Sequence, residues 1–157
     1  MRAQWLIGAL VLCAAAAAVP PPARAALGDD VSSVPTDAVR MKAQLRAGAA
    51  PSTNGYTVQE ITLTSGTVLR EYASPAGKIF AVTWTGPQKP DLAQAFGSYY
   101  TSFATAANAT THYNHRHLLV RQPDLVVESN GRMRATFYGR AYVPSLVPAG
   151  VNISSLP

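Results

Sequence analysis

Residues 56–85 read YTVQEITLTSGTVLREYASPAGKIFAVTWT, and this stretch predicts a three-stranded antiparallel meander. The runs Tyr56–Leu63, Thr67–Tyr72 and Lys78–Thr85 are rich in Val, Ile, Thr and aromatic residues, which fit a pleated, half-buried surface. Thr64-Ser65-Gly66 and Pro75-Ala76-Gly77 separate them. Both loops place Gly third, where a three-residue hairpin loop needs a left-handed residue. That register sets Ile61 opposite Leu69, Val58 opposite Tyr72 and Glu60 opposite Arg70, so apolar meets apolar and the charges are complementary. The third run carries Phe80, Val82 and Trp84 at one parity and Ile79 and Ala81 at the other. Apolar on both faces, it is expected to be a central, covered strand.

Helical patterns flank the meander. Val34, Ala38, Met41 and Leu45 form one apolar stripe and predict a helix over 34–47, with Ser33 or Thr36 as cap and Pro35 in the first turn. Gly48 to Gly55 reads as a loop, and 26–33 as a flexible lead-in. After Gly86-Pro87-Gln88-Lys89-Pro90 stops the sheet, Asp91 opens a second helix with Gln94 at capping-box spacing. Its stripe is Leu92, Phe96, Tyr99, Phe103 and Ala106, and it ends near Ala107-Asn108. Gly97 within it is expected to allow close packing on a strand.

Residues 109–116 read as polar loop and His117–Arg121 as a short strand. Leu125–Glu128 and Arg132–Val143 are expected to form a hairpin around Ser129-Asn130-Gly131, with Glu128 opposite Arg132 and Val127 opposite Met133. Pro144, Pro148 and Pro157 mark an irregular tail. The predicted fold is α+β: an antiparallel sheet of about five to six strands in two hairpin groups, with two helices packed on one face.

The amino terminus addresses compartment. Arg2 supplies a positive start, Trp5–Val19 is an uncharged apolar run, Pro20-Pro21-Pro22 breaks any helix, and Ala23-Arg24-Ala25 fits a small-x-small cleavage pattern. Residues 1–25 are therefore expected to be a secretory signal peptide, cut before Ala26, leaving 26–157 as one α+β domain with flexible ends. The apolar run is shorter than the ~20 residues a membrane span needs. The alternative of a lipid anchor at Cys13 fits poorly, because Leu12 precedes it and the apolar run continues beyond it. Cys13 is the only cysteine, so the mature chain would have neither disulfide nor thiol nucleophile. Losing Arg2 and Arg24 lowers the formal charge from +5 to +3, which is no nucleic-acid signature, and no later run is long enough to span a membrane.

The run Val68-Leu69-Arg70-Glu71-Tyr72-Ala73-Ser74-Pro75-Ala76-Gly77, with Ile79-Phe80-Ala81-Val82-Thr83-Trp84-Thr85-Gly86-Pro87 and Pro90-Asp91-Leu92, resembles a family of small exported proteobacterial proteins catalogued as domain of unknown function 2844. So do the start Ala26-Leu27-Gly28 and the ending Gly131-Arg132-Met133-Arg134 through Gly139-Arg140-Ala141-Tyr142-Val143-Pro144. The resemblance covers nearly the whole mature chain. It implies a Gram-negative source and a periplasmic or secreted location, and brings no activity, cofactor or site residues.

Two clusters invite chemistry. His112, His115 and His117 fall within six residues, and in an extended segment His115 and His117 share a face, so the three could hold Zn²⁺ or Cu²⁺. Against this, the mature chain offers no Cys, the nearest carboxylate is Asp124, and Arg116 would repel a cation. The other cluster is the last strand, where Arg132, Arg134, Tyr138, Arg140 and Tyr142 alternate onto the face opposite Met133, Ala135, Phe137, Gly139, Ala141 and Val143. Arg and Tyr recognise anionic or sugar-like surfaces and protein partners, whereas the plainer reading is a solvated sheet face laced by cross-strand ion pairs.

No nucleophile elbow or phosphate-binding glycine loop is present. Glu60, Glu71, Asp91 and Glu128 each fit a role as strand-surface charge or helix cap. The expectation is a non-enzymatic exported binding or interaction module with no cofactor. Its outer sheet face would meet an anionic envelope component or envelope protein, and not nucleic acid. The alternative is a small metal-binding protein or metal-dependent enzyme built on His112, His115 and His117.

Overall fold

The computed structural model describes residues 26–46, 55–109, 117–131 and 136–156. One seven-stranded antiparallel sheet contains β1 (Gln44–Arg46), β2 (Thr57–Thr62), β3 (Val68–Ala73), β4 (Ile79–Gly86), β5 (His117–Arg121), β6 (Val126–Gly131) and β7 (Phe137–Tyr142). Their spatial order is β1-β2-β3-β4-β7-β6-β5, so the two meanders join through β4 and β7. Helices α1 (Val34–Arg40), α2 (Leu92–Phe96) and α3 (Tyr100–Ala109) contribute to the core on one face, here the inner face. The fold is thus α+β with one antiparallel sheet, which among the described residues has seven strands rather than five or six.

The extra strand is β1, which the helical stripe had absorbed. The α1 helix stops because Lys42 takes a left-handed φ of 49° and the Ala43 N–H donates to Ala38 O at 2.9 Å, a Schellman-type ending. Leu45 then lies opposite Ile61 in the sheet. Asp30, rather than Ser33 or Thr36, caps the preceding 3-10 turn by accepting the Ser32 N–H at 2.9 Å.

The first meander has the predicted register: Ile61 faces Leu69, Val58 faces Tyr72 and Glu60 faces Arg70. Gly66 and Gly77 take the left-handed φ values, 82° and 76°, that the two loops require. Strand β4 is central and buried from Ile79 through Trp84. Its facing differs from strict alternation. Tyr72 pairs with Ala81 but Ala73 pairs with Ile79, so Phe80 is an extra, bulged residue. Ile79, Val82 and Trp84 therefore join the inner core, while Phe80 and Ala81 pack on the outer face with Tyr72.

The second predicted helix is two helices. Asp91 caps α2, accepting the N–H groups of Ala93 at 2.9 Å and Gln94 at 3.3 Å. Gly97, with φ 52°, then breaks the axis before α3. A Cβ on Gly97 would lie 2.4 Å from that of Ala26. The partner packed against Gly97 is thus not a strand but the segment expected to be a flexible lead-in. Ala26 and Leu27 are fully buried, the Leu27 N–H donates to Ala95 O, and the Gly28 N–H donates to Ile79 O at 2.8 Å.

The β6–β7 hairpin does not turn at Ser129-Asn130-Gly131. Strand β6 continues through Gly131, which pairs with Phe137, so the connection is 132–136 and Glu128 faces Arg140 rather than Arg132. The shift is an even number of residues, so the faces survive it: Ala141 and Val143 are inside and Tyr138 and Arg140 outside. The tail beyond Val143 is irregular, with 3-10 turns at Pro144–Leu146 and Ile153–Ser155. It packs on the outer face, where Leu156 and Ile153 meet the cluster of Tyr72, Phe80 and Ala81.

Candidate functional site

Cross-strand pairing builds a row across the outer face: Arg46, Glu60, Arg70, Thr83, Arg140, Glu128 and Leu119. Arg70 Nε donates to Glu60 Oε2 at 3.0 Å. Arg140 is more tightly held. Its Nε and Nη2 lie 2.9 and 2.7 Å from Glu128 Oε2, and its Nη1 donates to the Ile153 carbonyl at 3.1 Å. The guanidinium thus neutralises a carboxylate and pins the tail. The neighbouring row holds Thr85, Tyr138, Asn130 and His117, with the His117 ring hydrogen-bonded through Nδ1 to Asn130 Oδ1.

These two rows enclose a depression of about 250 Å³, lined by Thr83, Thr85, Asn130, Tyr138, the Glu128–Arg140 pair and Leu156. Two hydroxyls, an amide and a phenol converge there beside a neutralised ion pair. Such a lining suits hydrogen-bonded recognition of a polar ligand. Of the five residues expected to form a basic, aromatic stripe, Tyr138 and Arg140 line this depression. Tyr142 is half-buried and packs into the tail-covered cluster. Arg132 and Arg134 lie outside the described residues.

His112 and His115 also lie outside the described residues. Among the described residues there is no group of three His, Cys, Asp or Glu side chains able to hold a metal ion, and no helix is long and apolar enough to cross a membrane. Thr83, Thr85 and Asn130 were not singled out from the sequence. Alternation assigns each to a face, but only the strand order brings β4 beside β7 and β6.

The inner face has its own irregularity. Trp84, Gly139, Ser129 and Leu118 form one cross-strand row beneath the helices. A Cβ on Gly139 would come within 2.3 Å of the Trp84 ring, so only Gly lets the indole lie across β7. Ser129 is a buried hydroxyl in this otherwise apolar row. Its alternation with Val127 is the sequence signal that could have marked it.

The family model described as "Protein of unknown function (DUF2844)" matches residues 23–156. No curated protein and no solved structure matches the chain.

Proposed function

The chain belongs to this family of proteins of unknown function, and we propose that it is an exported, non-enzymatic binding module whose outer sheet face engages an envelope component. The observation that carries the reading is the depression around Tyr138 and Arg140. There the exposed Tyr138 ring lies beside the hydroxyls of Thr83 and Thr85 and the Asn130 amide. Export follows from the apolar run and cleavage pattern of residues 1–25, and from the resemblance to exported proteins. An anionic partner follows from Arg132 and Arg134, which lead into β7, because Arg140 already has its carboxylate.

The test is retention of the wild type and of Tyr138→Ala on immobilised envelope fractions across a salt series. Tyr138 is 42% exposed, so its loss should leave the melting temperature nearly unchanged. Weaker retention of the variant, together with loss of wild-type retention as salt rises, supports the reading. Equal retention of both proteins at every salt rejects it. Export is checked by N-terminal sequencing of the envelope protein, with Ala26 expected first; recovery of Met1 rejects cleavage.

A further inference from the structure

A second cavity lies on the opposite face, between the helices and the β5–β6 edge of the sheet. It measures about 460 Å³, within the range of small-molecule sites. Its helical wall is one stripe of α3, from Tyr100 through Phe103, Ala104 and Ala107 to Asn108, about 12 Å long at 1.5 Å per residue. Leu92 and Leu118 close its apolar sides. The small side chains of Ala104 and Ala107 leave room where larger ones would close the packing.

The lining mixes apolar side chains with polar ones, and two of the polar ones, Ser129 and Lys89, differ from the rest in burial and charge. Ser129 lines the cleft, is 2% exposed, and its Oγ has no hydrogen-bond partner among the described residues. A hydroxyl taken out of water with nothing in return marks a place where a bonding atom is wanted. Lys89 lines the same cavity and is exposed, with its Nζ 5.7 Å from the centre of the Phe137 ring. Phe137 pairs with Gly131, and Gly131 lies two residues along β6 from Ser129, about 7 Å. The ammonium and the buried hydroxyl therefore sit near the same end of the β6–β7 ribbon. The described lining carries this one positive charge and no carboxylate.

We propose that this cleft binds a small anionic amphiphile of the fatty-acid class. Its carboxylate accepts hydrogen bonds from Lys89 Nζ and Ser129 Oγ, and its alkyl chain lies along the α3 stripe against Phe103, Ala104 and Leu118. The apolar middle of the wall, Phe103, Ala104 and Ala107, selects a chain-like body, and the single cation selects one negative charge.

The test is calorimetric titration of the purified protein with decanoate and, as the uncharged counterpart, decanol. The wild type should bind decanoate saturably, one per chain. Lys89→Gln should weaken decanoate by about tenfold or more while leaving decanol unchanged, as loss of a charge-assisted bond requires. Ser129→Ala should weaken decanoate with an unchanged or raised melting temperature, because a merely structural orphan hydroxyl would be removed without affecting a ligand. Ala104→Phe should abolish both titrations by filling the cleft; should that variant not fold, the exposed Lys89→Gln still decides. Absence of saturable decanoate binding by the wild type overturns the proposal. So does equal decanoate affinity in wild type and Lys89→Gln, or undiminished binding by folded Ala104→Phe.

Discussion

The two faces of the sheet are closed by different means. Helices cover the inner face and bring their own hydrogen-bonded backbone, so they press large side chains directly onto the strands. Phe96 sits between Trp84, tilted at 51°, and Phe103, edge-on at 90°, with ring centres 6.0 and 5.1 Å away. The outer face is covered by a tail with almost no regular structure, and only over one part. There Tyr56, Tyr72 and Phe80 form a three-ring cluster beneath Leu156 and Ile153. This cover bonds in part within its own 3-10 turns, where the Leu156 N–H donates to Ile153 O at 3.2 Å, and Arg140 adds a second donor to that carbonyl from the sheet. The difference teaches that the inner face holds the larger core, while the outer face holds exposed polar rows beside a small, pinned one.

Substituting one residue from each cover tests this contrast. Phe96→Ala should cost about 3–5 kcal/mol, read from chemical denaturation, since the ring is fully buried between two others. Leu156→Ala on the outer side should cost about 2 kcal/mol, the low end for a buried leucine, because Leu156 is 7% exposed and its irregular segment relaxes easily around the missing atoms. Equal losses at the two positions would erase the distinction between the covers.

Glu128→Gln sharpens the comparison at a smaller scale. The Glu128 and Arg140 side chains are 24% and 26% exposed, so the variant should lose less than about 1 kcal/mol, and the loss should shrink as salt is added. A loss of several kcal/mol, insensitive to salt, would mean that this pair is part of the outer core rather than of its polar rows.

The smallest expected effect is in alkali. Burial pushes the Tyr72 phenol above its ordinary value of 10.0, partly opposed by its hydrogen bond with Thr83. The unfolded chain then releases this proton at lower pH than the folded one. Stability linked to Tyr72 is intact below pH 10.0 and declines as pH rises through that value and beyond. Tyr72→Phe should flatten the alkaline limb of the denaturation midpoint; an unchanged limb would show that the outer cluster is open to water at Tyr72.

What the sequence determined by itself was local. The β2–β3 register followed from loop length, a left-handed Gly and the two-residue period of a strand, all set within a few residues. The Asp91 cap and the buried centre of β4 were legible for the same reason. The face of Tyr138 and Arg140 was legible even though the hairpin register was not, because an even shift preserves parity and Arg140 matches the Glu128 charge as well as Arg132 does. The bulge at Phe80 is the converse: one extra residue reverses parity, and nothing local announced it. Tertiary structure alone decided the rest. Leu45 satisfies a helical stripe and a strand equally, and only its place opposite Ile61 makes it a strand residue. Asn130-Gly131 suits a turn, yet Gly139 must lie under Trp84, and that packing holds β7 where β6 runs on to Gly131. The outer depression and the inner cleft belong to this second category, since each is assembled from residues distant in the chain and brought together by the order of strands in one sheet.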